Sequence, residues 1–153
     1  MTLKVRFADF TTRTIARSLG GATDSRDDIT GAGLALLDEV DCPWTFTRAV
    51  DSVLSTDRAW KALLGLPRLD CVRTAGSARD VEHGLDDLLA RARADSRQAS
   101  LIMADGELQA EQVPWLVRAG VRQFHLDGQV RPGGSWRAYV DESLVHSWRR
   151  LID

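Results

Sequence analysis

Cysteine and histidine are scarce in this sequence of 153 residues. Its two cysteines, Cys42 and Cys71, lie far apart and lack CxxC spacing, which excludes a disulfide framework and a redox pair. The three histidines, His83, His125 and His146, are too scattered to form a zinc motif. Reduced thiols are therefore expected, and with them a cytoplasmic protein.

Long apolar runs and an excess of one charge are also missing. No segment is apolar enough to cross a membrane and no leader-like stretch opens the chain, so no membrane association is expected. The net charge of −2 shows no basic footprint, and we expect no nucleic-acid partner. With 44% apolar and 27% charged residues, the chain is typical of one globular domain spanning residues 1–153.

Short strand patterns alternate with helical patterns of about ten residues. Alternating or continuous apolar residues predict five strands, at residues 3–10, 42–51, 69–74, 100–104 and 121–126. Residues 11–19 could add two helical turns, and caps with apolar stripes predict helices at 29–40, 57–64, 80–94, 109–119 and 141–151. This alternation predicts the α/β class, with parallel βα units.

The carboxyl ends of the predicted strands carry the candidate site residues, because parallel α/β folds bind ligands there. The ligand pocket is predicted to contain Thr47, Arg48, Asp51, Thr74, Gly76, Asp105 and His125. We expect Thr47, Thr74 and His125 to line one polar surface.

Two of these groups have alternative interpretations. His125 is suited to proton transfer or metal ligation, but it could equally be a hydrogen-bonded core residue. Arg48 with Asp51 is either a substrate clamp or a solvated ion pair. Asp105 with Glu107 is either an acid/base pair or part of a solvated rim of charges.

Several stretches in the same order resemble the CutC copper-homeostasis family. They are TFTRAVD at 45–51, TAG at 74–76, LIMADGELQAEQVPWLVRAGV at 101–121, QFH at 123–125 and VRPGG at 130–134. The resemblance implies a TIM-like barrel, and residues 41–153 would correspond to its C-terminal half. Residues 1–40 would be a divergent N-terminal βα segment. Five strands are too few for a complete barrel, so a partial or degenerate barrel is expected.

The resemblance implies cytosolic copper homeostasis, although a histidine of the family's first motif is replaced here by Thr47. Cu(I) would favour the soft ligands Cys42, Cys71, Met103 and His125. Alternation along the strand turns Cys71 to the helices if Thr74 faces the barrel interior, which argues against their convergence.

Two other functions remain open, and whether the chain is an enzyme is undecided. One is a TIM-barrel-like enzyme that acts on a small molecule, with His125 as acid or base. The other is a non-catalytic remnant that works through oligomerisation. An open five-stranded sheet has unpaired edges, so a homodimer is expected, against a monomer whose open side is covered by the 22–29 loop and the first helix.

Overall fold

Two units, residues 1–42 and residues 43–153, make up the chain in a computed structural model that describes residues 1–7 and 9–153. The expected first strand, 3–10, includes Ala8, which lies outside the described residues. Among the described residues, no helix is both long enough and apolar enough to cross a bilayer.

The first unit is a β-hairpin packed on one helix. Strand β1 (Thr2–Arg6) pairs antiparallel with β2 (Thr12–Ala16), and helix α1 follows at Arg26–Asp38. The expected helical turns at 11–19 are wrong, because the alternating, threonine-rich segment 12–16 favours a strand. The small core of the first unit consists of Leu3, Val5, Ile15 and Leu36 from these three elements, together with Val40 and Cys42 from the residues after α1.

The second unit contains a parallel four-stranded sheet, which confirms the α/β prediction. Strands β3 (Trp44–Phe46), β4 (Leu69–Thr74), β5 (Ile102–Ala104) and β6 (Gln123–Phe124) are neighbours in chain order. Five helices accompany them in the described chain, at Thr56–Leu63 (α2), Val81–Ala94 (α3), Ser96–Leu101 (α4), Val113–Arg118 (α5) and Glu142–Arg149 (α6). A 3₁₀ helix at Arg48–Ser52 follows β3.

The two faces of this sheet differ in burial. Val72, Ile102 and Ala104 are fully buried in the core with the helices. Arg73 pairs with Met103 in the register and both are only partly buried, so they lie on the other face. Arg73 and Met103 therefore face away from the helical core.

Two glycines bring helix α3 against the end of β4. Gly76 has φ +75°, and a Cβ there would lie 2.3 Å from the carbonyl oxygen of Gly84. A Cβ on Gly84 would in turn lie 2.1 Å from the carbonyl oxygen of Ala75. The backbones touch, so neither position has room for a side chain.

We expect Gly84→Ala to destabilise the protein by about 1–3 kcal/mol or more, because the backbone itself must move. Gly31→Ala is the matched control, since it is also helical and its Cβ would have nothing within 4 Å. That change should stabilise the protein by roughly 1 kcal/mol through helix propensity. Urea unfolding of both variants tests the contact, and equal effects would contradict it.

Carboxylates cap three helices of the second unit: Asp80 at α3, Asp95 at α4 and Asp141 at α6. Each pKa is lowered from its ordinary value of 3.8, mainly by a hydrogen bond with the side chain of His83, Gln98 or Ser143, respectively. Backbone N–H groups of the first turns add to the effect.

These lowered pKa values give stability a defined pH dependence. The folded caps bind protons less readily than the unfolded chain, so their contribution is complete above pH 3.8 and is lost as pH falls through the folded values. The triple variant Asp80→Asn, Asp95→Asn, Asp141→Asn keeps capping side chains but cannot titrate. Its unfolding free energy should depend less on pH below 3.8 than that of the original chain, and identical slopes would refute the assignment.

Candidate functional site

The carboxylate of Asp51 joins the end of β3 to the end of β4. Its side chain is 4% exposed. It accepts a hydrogen bond from the Thr74 hydroxyl at 2.5 Å and another from the Ala75 N–H at 2.8 Å. Arg48 Nε donates at 3.2 Å to Asp51 Oδ2, the same oxygen that accepts from the Ala75 N–H. All these groups belong to the framework of the fold.

Arg48 extends this network to the loop before α3. Its Nη2 donates to the carbonyl oxygens of Ser77 at 3.3 Å and Arg79 at 2.9 Å. Gly106 lies over the guanidinium, and a Cβ there would be 2.7 Å from Nη1. The guanidinium is thus occupied with protein acceptors, as expected of a structural group.

The structure divides the seven predicted site residues. Thr74 is buried on the helical side of the sheet, and Gly76 packs against α3. Thr47 is exposed at the start of the 3₁₀ helix and makes no capping hydrogen bond. Arg48, Asp51 and Thr74 come together in the buried network, and Asp105 and His125 form a second, separate group. The expected common polar pocket of Thr47, Thr74 and His125 is not formed. Its geometric premise fails because Thr74 faces the core.

An arginine that the sequence analysis overlooked completes the second group. Arg73 Nη2 lies 2.9 Å from Asp105 Oδ2, and its Nε donates to the same oxygen at 3.0 Å. His125 Nδ1 lies 3.1 Å from Asp105 Oδ1 and 3.7 Å from Asp127 Oδ1. The Asp105 side chain is 5% exposed, so its charge is compensated by Arg73. A charged residue next to the carboxyl end of a predicted parallel strand is the signal that could have revealed Arg73.

A cavity of about 470 Å³ opens beside these groups, at the carboxyl ends of β5 and β6. Its lining includes His125, Asp127, Arg131, Trp136 and Leu144. Its volume and its place at the strand ends are those of small-molecule sites in parallel α/β proteins. The long loop after β6 therefore forms much of its wall.

The expected soft ligands for Cu(I) do not gather at this cavity. Cys71 is buried and its Sγ lies 3.1 Å from Thr45 Oγ1, while Cys42 belongs to the first unit. Ligand atoms of Asp105, His125 and Asp127 do lie within 4.8 Å of one another. The guanidinium of Arg73 already pairs with Asp105 of that group, and oxygen atoms are poor ligands for Cu(I).

Comparison with known families finds a similarity to a different family from the expected one. The model that matches is the impB/mucB/samB family C-terminal domain, over residues 1–55. The match includes the whole first unit and continues through β3 and the 3₁₀ helix. No curated protein matches the chain.

The expected CutC membership, and with it copper homeostasis, was therefore wrong. The matching family is related to DNA-damage translesion polymerases, and it matches the segment that had been set aside as divergent. The misleading stretches, such as TAG at 74–76 and VRPGG at 130–134, are short turn and strand patterns that parallel βα units require in general.

The Asp51 network predicts a large stability effect without any ligand. Asp51→Ala should cost roughly 2–5 kcal/mol, because the buried Thr74 hydroxyl and Ala75 N–H both lose their acceptor. Arg48 keeps the Ser77 and Arg79 carbonyls. His125→Gln is the control, because the imidazole lies at the cavity and should matter little for stability. Chemical denaturation compares the two, and a loss below about 1 kcal/mol for Asp51→Ala would show that the network is dispensable.

Proposed function

We propose that this chain acts in DNA-damage tolerance, and that its first unit contacts DNA. The family match over residues 1–55 carries the proposal, since that family is related to translesion DNA polymerases. The match is to a C-terminal domain and covers about a third of the 153 residues, so the proposal concerns DNA contact and not nucleotide addition.

The uncovered face of the hairpin has the chemistry that a phosphate backbone requires. Leu3 and Ile15 pair in the register and pack in the core with α1. Alternation places Lys4, Arg6 and Thr14 on the opposite face, and all three are exposed. Lysine, arginine and threonine side chains are typical donors to phosphate oxygens.

Charge is segregated within the first unit. The hairpin segment, residues 2–17, carries four basic side chains and a single carboxylate, Asp9. The following segment, residues 24–41, carries six carboxylates and only Arg26 as a basic side chain. Of the four basic side chains, Lys4 and Arg6 lie on the uncovered face, while Arg13 pairs with Val5 in the register and Arg17 contacts Glu39. The charges of Lys4 and Arg6 can attract an anion although the whole chain has a net charge of −2.

A stacked pair at the end of the hairpin extends this face. The Arg6 guanidinium lies 4.7 Å from the centre of the Phe10 ring. Phe10 is 73% exposed, and its φ of +65° is unusual for a bulky residue. Aromatic rings and arginine planes both stack on nucleobases, which supports a nucleic-acid ligand.

We also propose that the sheet of the second unit is a section of a barrel. Its four parallel strands follow one another in chain order, whereas a doubly wound sheet reverses its order at a switch point. Right-handed crossovers in such an order place all the connecting helices on one face. An experimental structure in which further strands pair with the edge strands β3 or β6 would support this. Helices covering both faces of the sheet would refute it. Pairing between copies at those edges, the expected homodimer, stays a prediction.

Replacing two hairpin charges tests the DNA proposal. Lys4→Gln with Arg6→Gln should weaken binding of a fluorescein-labelled duplex and make it less dependent on salt. Each phosphate contact contributes about −0.9 to the slope of log K against log salt concentration. Loss of two contacts should therefore make the slope shallower by about 1.8. Fluorescence anisotropy across a salt series measures both quantities.

The matched control is Arg58→Gln with Lys61→Gln, which removes two exposed charges from α2. This variant should bind like the original chain. Equal losses of DNA affinity in the two double variants would show that only net charge matters, which would contradict a site on the hairpin. The absence of any salt-dependent DNA binding by the original chain would refute DNA contact.

A further inference from the structure

We propose that the cavity at the carboxyl ends of β5 and β6 binds a neutral, polyhydroxylated small molecule of about monosaccharide size. This inference is independent of the DNA proposal, because it concerns only residues of the second unit. It rests on which polar groups around the cavity are already bonded and which are available.

Several polar groups at the cavity are fully used within the protein. Asp105 bonds Arg73 through one carboxylate oxygen and contacts His125 through the other. Gln129 accepts from the Asp127 N–H at 2.8 Å and donates to the Leu108 carbonyl at 3.2 Å. These side chains shape the wall, but they offer a ligand little.

Three other side chains leave polar atoms available. His125 turns Nδ1 toward Asp105, so its Nε2 has no partner within the described part of the chain. Asp127 is 47% exposed, and its closest charged contact is His125. Arg131 Nη1 donates to the Ala138 carbonyl, and its Nη2 has no hydrogen-bond partner within the described residues. Its Nε is also unpartnered but is too deeply buried for a ligand to reach.

The charges of the wall select the class of ligand. An anion near Arg131 would also meet the carboxylates of Asp127 and Glu107, and a cation near Asp127 would meet Arg131. A hydroxyl group can accept from Arg131 Nη2 and donate to His125 or Asp127 without adding charge. Several hydroxyls on one small molecule therefore fit this mixture of donors and acceptors.

An exposed aromatic ring gives the cavity an apolar surface. Trp136 is 68% exposed, and the Arg131 guanidinium lies 5.1 Å from its ring centre. Leu144 adds a second apolar contact. The C–H face of a sugar ring can pack on the indole while its hydroxyls reach the polar groups, as amphipathic sites require.

Saturation-transfer NMR with D-glucose, D-ribose and myo-inositol tests the proposal on the full chain. At least one of them should receive saturation from the protein. Trp136→Ala should bind about tenfold more weakly, through loss of the ring contact. Trp115→Ala is the matched control, because that tryptophan is also exposed but belongs to α5 and not to the cavity wall. It should bind like the original chain.

A second variant and two charged probes complete the test. His125→Gln retains a polar side chain but changes its geometry, and it should weaken the same polyol without loss of the fold, checked by circular dichroism. If no polyol receives more saturation than with Trp136→Ala, the proposal is refuted. Stronger transfer to glycolate or to ethylammonium than to any polyol would refute the assignment of a neutral ligand.

Discussion

The buried carboxylate of Asp51 is the interaction on which the second unit depends. It is bonded by a hydroxyl and a backbone N–H at the end of β4, and by the guanidinium of Arg48. Through Arg48, the network also reaches the loop that leads into α3. A charge this deeply buried requires all its partners, so the ends of β3 and β4 are fixed relative to one another. Because the network consumes these polar groups, ligand chemistry is left to the opposite face and to the ends of β5 and β6.

Much of the secondary structure could be predicted from local signals. Helix α3 begins after its cap, Asp80, and ends at Ala94, as its apolar stripe indicates, and the parallel sheet is confirmed. Residues 12–16 form strand β2 and not the expected helical turns, because alternating, threonine-rich segments favour strands. The orientation of β4 was also misjudged. Its alternation defines two faces but does not say which is buried, and that choice depends on Asp51, more than twenty residues earlier.

The functional prediction failed for a related reason. Neither the net charge of a chain nor a short sequence motif says where in the fold the residues concerned lie. A net charge of −2 concealed a hairpin with basic side chains on its uncovered face and a helix segment rich in carboxylates. Short stretches shared by many βα units suggested a copper protein, whereas the family match lies over residues 1–55. Of the predicted site, Asp105 and His125 are together at the cavity. Arg131 and Trp136 could not be assigned to it, because a long loop carries no periodic signal to place them.

The backbone at Gly106 has an evolutionary consequence. Its φ is +114°, a conformation that L side chains rarely adopt, and a Cβ there would also lie 3.3 Å from Ala75 Cβ. Glycine is therefore required at 106 by the backbone itself, whereas Arg48 is held only by its own hydrogen bonds to Asp51 and to the Ser77 and Arg79 carbonyls. Among relatives of this chain, position 106 should remain glycine even where position 48 has changed.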